Sequence, residues 1–340
     1  MRRVVINQSY RAQVVTGQQR YATEIARRLE SSMPCTGAGP TGFWSASTLR
    51  VWAWVQLVLP LLAREAVVLS MTSRAPLWCR RHVLVVHDLF VLTNPEWYSR
   101  AYVWTHAPLL RAQIRSAAAV VAVSRPVADQ LARLRSGPIA VAPNAPSDVF
   151  RPPVVGAPDG AALADRGLGT SSYFLVVGSR DPRKNLGRLA EAYGRLTDDE
   201  RRRFPLVVVG GASAIYRNQD LEWPIGTVDL GYVTDDELRQ LYRGARSVVF
   251  VSKAEGFGLP LVEAVAAGAG SLLVSDIEIF RWICGETARY VDPSSTASII
   301  EGLRAEIENP RQQELNLDRF SWDASASVVR DMCLEIAGRG

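Results

Sequence analysis

Residues 249–271, VFVSKAEGFGLPLVEAVAAGAGS, constrain the fold more than any other stretch of this chain. The apolar run that ends at Val251 reads as a buried strand. A glycine-rich turn follows, Glu255-Gly256-Phe257-Gly258, and Pro260 suits the first turn of a helix that continues until the glycines from Gly268 end it. A strand that passes through glycines into a helix is the building unit of a doubly wound parallel sheet. The same turn leaves backbone N–H groups and the positive end of a helix dipole at the strand's carboxyl edge, where phosphate oxygens are stabilised.

The plan recurs along the chain. Val4–Asn7 reads as a strand leading through Thr16-Gly17 into a helix over 20–29, where Tyr21, Ile25 and Leu29 recur every four residues. Further strands are expected at 82–86, 119–123 and 139–142, then at 173–177, 206–209, 228–230 and 245–251, with 271–275 as the last. Residues 34–47, rich in Gly, Ser, Thr and Pro, read as a loop. Between the two sets of strands lies a stretch dense in Pro, Gly, Ala and Asp without sustained periodicity. At 340 residues, 48% of them hydrophobic, the chain has length and apolar material for two domains. The expected division is a domain at 1–150, a linker at 151–169, a second domain at 170–320, and a terminal helix at 321–340 that crosses back onto the first.

Charge is uneven. Residues 1–150 hold 17 Arg against 7 Asp plus Glu, or +10, which leaves −5 for the remainder of a chain whose net charge is +5. A basic first half attracts an anionic acceptor or an anionic membrane surface. No nucleic-acid motif accompanies the charge, so nucleic acid is excluded as a partner. Cys35, Cys79, Cys284 and Cys333 show no metal or disulfide spacing, which points to thiols in a reducing, cytoplasmic setting. No signal peptide is evident. The most apolar run, 51–62, falls short of the roughly 20 residues that a membrane span needs. It is expected to face a core, with an amphipathic helix lying on the inner face of a membrane as the alternative. Trp97, Tyr98, Tyr102 and Trp104, interleaved with arginines over 95–118, fit either an acceptor- or membrane-facing surface or a helix packing its aromatics inward.

Three groups of residues carry chemistry. Glu255 and Glu263 bracket the glycine turn. Carboxylates repel phosphates, so both are expected to accept hydrogen bonds from sugar hydroxyls, Glu263 from a ribose diol and Glu255 from the transferred sugar. The loop 178–185, Gly-Ser-Arg-Asp-Pro-Arg-Lys-Asn, places Arg180, Arg183 and Lys184 beside a helix N-terminus, an anion site. The chain has 39 Lys plus Arg but only two Lys, 184 and 253, so a lysine in this loop stands out as a compact point charge. His87 and Asp88 follow the strand at 82–86, on the edge where doubly wound sheets bind ligands.

The pair Glu255 and Glu263, seven residues between them and Gly-Phe-Gly-Leu-Pro inside, resembles the E-x7-E signature of retaining family-4 glycosyltransferases. The similarity runs over most of 4–293 and is strongest from Phe174 onward. It implies an α/β architecture of the GT-B type, two Rossmann-like doubly wound domains with an interdomain cleft, and a nucleotide-sugar donor held mostly by the second. Pro182-Arg183-Lys184-Asn185 resembles the motif whose lysine contacts the donor pyrophosphate, with Arg180 or Arg183 supplying a second charge. His87 then faces the donor sugar, with Asp88 available to fix its tautomer. Gly17 admits close backbone approach, the backbone at Tyr232 and Val233 meets the nucleobase, and Phe257, Gly258 and Leu259 line the diphosphate. The family pattern is broken at Thr16, Ala145, Ser179 and Ala269. The resemblance also implies transfer of a hexose or deoxyhexose with retention of configuration to a glycan, lipid-linked or small-molecule acceptor in surface-polysaccharide assembly. With Lys184, an adjacent Arg and the helix N-terminus after Gly258 at the diphosphate, and no metal triad in the chain, no metal or other cofactor is expected. A binding scaffold without turnover and a nucleotide-sugar 2-epimerase on the same architecture stay open, although only three histidines are present for the latter. Donor sugar, nucleobase and linkage are not readable from the residues.

Overall fold

A computed structural model describes residues 3–12, 16–151, 163, 166–211 and 221–339. Most of the linker, 152–162 and 164–165, lies outside the described residues. The chain divides into two compact units. One comprises Met1–Pro95, Arg100–Asn144 and Phe320–Gly340; the other comprises Glu96–Ser99 and Ala145–Arg319.

The first unit is built on six parallel strands: β1 (Val4–Asn7), β2 (Cys35–Ala38), β3 (Val67–Ser70), β4 (His82–Val86), β5 (Ala119–Ala122) and β6 (Ile139–Val141), in the order β2-β1-β3-β4-β5-β6. The central strands are buried along their whole length. Helices covering both faces of a parallel sheet account for such unbroken apolar runs. The C-terminal helix Trp322–Gly338 belongs to this unit. Asp323 pairs with Arg28 of the helix Gly17–Ser32, Trp322 meets the edge of the Tyr21 ring, and Ser325 donates to the Pro143 carbonyl at 2.7 Å.

The second unit repeats the design with β7 (Phe174–Val177), β8 (Leu206–Val209), β9 (Thr227–Gly231), β10 (Ser247–Phe250), β11 (Leu272–Ser275) and β12 (Arg289–Val291). Their order is β12-β11-β10-β7-β8-β9, all parallel. Numbered within the unit, that order is the Rossmann arrangement 3-2-1-4-5-6, read from its far edge. Winding reverses between β7 and β10. The loops leaving the carboxyl ends of those two strands carry Arg183, Lys184 and Glu255.

Several expectations need correction. The stretch 34–47 is not all loop, because Cys35–Ala38 pairs in parallel with β1 as an edge strand. Ser271–Ser275 is not the last strand, since β12 pairs beyond it with Ser275 in register with Val291. Both were obscured by polar, glycine-containing or charged sequences, which edge strands tolerate. Among the aromatics of 95–118, Trp97 and Tyr98 are buried but Trp104 is 82% exposed. The run 48–62 is helical, and it buries Val51, Trp54, Val55 and Leu59. Among the described residues, no helix is long and apolar enough to cross a membrane. The four cysteines are unpaired thiols, and burial pushes those of Cys284 and Cys333 up to about 12.

Candidate functional site

The loop after β7 and the loop after β10 meet. Asn185 sits in the left-handed region at φ 59°, and its amide donates to the carbonyls of Val251 at 3.1 Å and Pro293 at 2.8 Å. The Lys253 N–H donates to the Arg183 carbonyl at 2.8 Å. These bonds tie the short helical turn Pro182–Lys184 to the strand end that carries Glu255. Glycine makes the approach feasible. A Cβ on Gly210, at φ 130°, would stand 2.1 Å from the Gly178 carbonyl oxygen, and one on Gly178 would press on the Lys184 stem.

Within this frame Glu255 is shared by three donors. Lys184 Nζ stands 2.7 Å from Oε1, Ser252 Oγ donates to the same oxygen at 2.8 Å, and Arg183 Nη1 bonds Oε2. The Glu255 side chain is only 6% exposed and that of Lys184 only 9%. Burial alone would raise the Glu255 carboxyl. The opposing charges of Arg183 and Lys184 prevail and hold it at about 2. Asp181, fully buried, fixes Arg183 from behind through Nε at 3.4 Å and Nη2 at 3.5 Å, and itself accepts from Ser179 Oγ at 2.6 Å. Two cations thus face two carboxylates.

Arg180 stands apart from this cluster and pairs with Asp229 on β9. Arg183, and not Arg180, shares Glu255 with Lys184. Asp181 and Asp229 escaped the sequence reading. The signal for Asp181 was present, an Asp two residues before an Arg in a turn, where its side chain accepts from the Arg183 N–H at 3.1 Å.

The helix Leu259–Ala266 begins at Gly258, which is left-handed at φ 89° and carries no side-chain cap. A Cβ there would lie 3.1 Å from the Phe280 ring. Phe257 is buried against Trp282 at 6.2 Å between ring centroids, and Leu259 is half-buried. Glu263, 5% exposed, lies on the buried face of this helix, just past its first turn. Tyr232 is 81% exposed and its ring lies across Gly211 at the end of β8; Val233 is half-buried beside it.

Two candidates lie in the first unit. His87 follows β4; its Nε2 is 2.9 Å from the Met71 carbonyl and its ring meets the face of Tyr21 edge-on at 5.2 Å. Burial lowers its pKa to about 4, partly opposed by that carbonyl, so the imidazole is neutral. A carbonyl partner obliges Nε2 to carry the proton and leaves Nδ1 the acceptor. Asp88, expected to fix the tautomer, instead accepts from the Phe90 N–H at 3.2 Å and starts the turn Phe90–Thr93. Gly17 begins its helix behind a capping box in which Gln19 accepts from the Thr16 N–H at 3.0 Å. That box already satisfies part of the helix end which the sequence offered to a phosphate.

Residues 165–319 match the family of glycosyl transferases group 1. The chain is 29% identical over 265 residues to O-antigen chain mannosyltransferase B of Escherichia coli, covering 72% of this chain and 67% of that protein. It is 28% identical over 272 residues to the serotype-specific mannosyltransferase WbdA of Escherichia coli, of which the aligned stretch covers 32%. Among solved structures, WaaG, a glycosyltransferase involved in lipopolysaccharide biosynthesis, superposes with a TM-score of 0.69 at 16% identity over 98% of this chain and 100% of that one. A sucrose-phosphate synthase from Thermosynechococcus elongatus gives 0.70 at 15% identity, over 99% and 97%. Likeness at these identities establishes the fold. The chain therefore has two Rossmann-like units with the fold of the GT-B glycosyltransferases, and its residues 165–319 match the model of glycosyl transferases group 1.

Proposed function

We propose that this chain transfers a hexose, mannose first among the candidates, from a nucleoside diphosphate donor to a glycan or lipid-linked acceptor during assembly of a bacterial surface polysaccharide. One observation carries the reading: Arg183, Lys184 and Glu255 converge at the point where the second sheet reverses its winding, the ligand crevice of such sheets. The named mannosyltransferases among its relatives support the choice of sugar.

In this reading the diphosphate enters as a dianion and takes Lys184 and Arg183 as partners, releasing the Glu255 oxygens to hydroxyls of the transferred sugar. The first-turn amides after Gly258 meet the same diphosphate, and Glu263 accepts from the ribose diol. His87 Nδ1 accepts from a sugar hydroxyl, and the backbone at Tyr232 and Val233 meets the base. The bond from the anomeric carbon to the diphosphate oxygen breaks while the acceptor oxygen bonds to the same face of that carbon. The acceptor proton passes to the departing phosphate, so configuration is retained. Lys184 and Arg183 neutralise the charge that grows on the leaving group, as a divalent ion does in other transferases, and the reaction proceeds without metal.

The test is donor turnover, measured with nucleoside diphosphate mannose for the wild type, Glu255→Ala and Lys184→Ala. Turnover in the wild type and its loss in both variants is expected. Donor binding by a wild type that neither hydrolyses nor transfers it would replace the transferase with a scaffold.

A further inference from the structure

The helical run 48–62 is apolar on both sides. Its inner face, with Trp54, Val55 and Leu59, fills a core cluster against Val5 and Val68 of the sheet. Its outer face leaves Leu49 80%, Leu57 62%, Leu61 73% and Leu62 64% exposed. A helix that serves only a core carries polar residues outward, so this outer face is unpartnered rather than unpatterned. The neighbouring loop adds an aromatic. Gln56 donates to the Ala75 carbonyl at 2.9 Å and accepts from the Leu77 N–H at 3.0 Å, which anchors 75–77 to the helix one residue from Leu57. The residue that follows, Trp78, is 81% exposed.

The sequence that carries and flanks this face is charged almost entirely with one sign. Between residues 40 and 81 the chain holds Arg50, Arg64, Arg74, Arg80 and Arg81 against Glu65 alone, five minus one or +4. At the amino end of the run, the Arg50 guanidinium lies 4.0 Å over the ring of Phe43, itself 63% exposed. Leucines on an outward face, a tryptophan with an apolar body and a polar edge, and arginines with almost no acid between them match the layered chemistry of an anionic bilayer surface: acyl chains below, phosphates above. A protein partner would call for complementary carboxylates or hydrogen-bonding groups on this side, and the segment offers one acid.

We propose that the outer face of 48–62, together with Trp78 and its flanking arginines, docks on the surface of an anionic lipid bilayer, Leu57 and Leu61 entering the acyl boundary and Arg50, Arg64, Arg80 and Arg81 meeting lipid phosphates. Docking places the first unit against the membrane independently of what the second unit binds, and it stands or falls apart from the donor chemistry proposed above.

The experiment is co-sedimentation of the full chain with vesicles of phosphatidylcholine alone and of equimolar phosphatidylcholine and phosphatidylglycerol, at low and high salt. The wild type should sediment with the anionic vesicles, less so in high salt, and remain in solution with the neutral ones. Leu57→Asp with Leu61→Asp should weaken that binding by about tenfold or more, and Arg80→Glu with Arg81→Glu should remove its salt dependence. Both double variants should keep the wild-type melting temperature, because the changed side chains support no core. Wild-type protein that stays in solution with both vesicles would overturn the proposal, as would aspartate variants that bind anionic vesicles unchanged. A wild-type dimer that the aspartate variant turns into monomer, with no vesicle binding by either, would assign the face to a second copy instead.

Discussion

Lys184 Nζ stands 2.7 Å from Glu255 Oε1 although 71 positions separate the two in the chain. Parallel pairing of β7 with β10 brings the loops that carry them together. Because both side chains are nearly dry, the pair is sensitive to loss of either member. Lys184→Ala leaves Glu255 with Arg183 and Ser252, so the fold should survive while turnover drops by about 100-fold or more, as when a group serving developing charge is removed. Lys184→Arg should restore little, because the planar fork does not fit a site shaped around a compact ammonium beside Gly178. Steady-state kinetics on the donor checks both.

Glu255→Gln should behave differently, since it leaves Lys184 without its carboxylate in a buried place and Arg183 with Asp181. A loss of stability of about 3 kcal/mol is expected, together with loss of transfer. Denaturant unfolding of the purified variant measures it. A variant as stable as the wild type would mean that solvent already screens the cluster.

The same carboxylate predicts a pH signature. Its folded pKa, about 2, lies below the ordinary value of 4.5. The stabilisation is therefore complete above pH 4.5 and is lost as pH falls toward 2. Stability of the wild type minus that of Glu255→Gln should narrow over that window and stay flat above it. Parallel unfolding curves at a series of pH values give the difference directly.

His82 offers a prediction away from the site. It is buried at the start of β4 with neither ring nitrogen partnered, and burial pushes its pKa down to about 3. The unfolded chain protonates this ring near the ordinary 6.5, so the wild type loses stability as pH falls from 6.5 toward 3. His82→Leu removes two unsatisfied polar atoms at similar volume and should be neutral or stabilising by about 1 kcal/mol. It should also lessen the slope below pH 6.5, which thermal melts at pH 7 and pH 5 will show.

Glycine geometry supplies a further test. Gly210→Ala would drive a methyl into the Gly178 carbonyl from a backbone at φ 130°, so it should distort the loop that holds Lys184 and sharply reduce donor affinity. Gly258→Ala, at φ 89° with the Phe280 ring 3.1 Å away, should cost about 1–2 kcal/mol from the left-handed backbone. Melting temperature and donor KM together separate strain from lost binding.

Much of this architecture could be read from the chain because parallel strands buried on both faces announce themselves. Leu206–Val209 and Phe174–Val177 are unbroken apolar runs between glycine-rich turns. Cys35–Ala38 could not, since an edge strand with a Thr and a Gly carries no such run, and Arg289–Val291 opens on the arginine that pairs with Glu306. The site was legible as a list of groups and not as a set of partners. Glu255 read as a receptor for sugar hydroxyls and Lys184 as a receptor for phosphate. That each is the other's partner in the unliganded protein depends on strand order, which local pattern does not encode. The Arg180–Asp229 pair was hidden for the same reason, since β7, β8 and β9 lie side by side only once the sheet is wound.

Thermal unfolding with GDP-mannose, UDP-glucose or dTDP-rhamnose, run for the wild type and Lys184→Ala, tests the central claim most directly. One donor should raise the wild-type midpoint, by an amount equivalent to about 2.7 kcal/mol at a hundredfold excess over Kd, and leave that of Lys184→Ala nearly unmoved. An equal shift in both proteins, or none with any donor in the wild type, would contradict a diphosphate site built on Lys184 and Glu255.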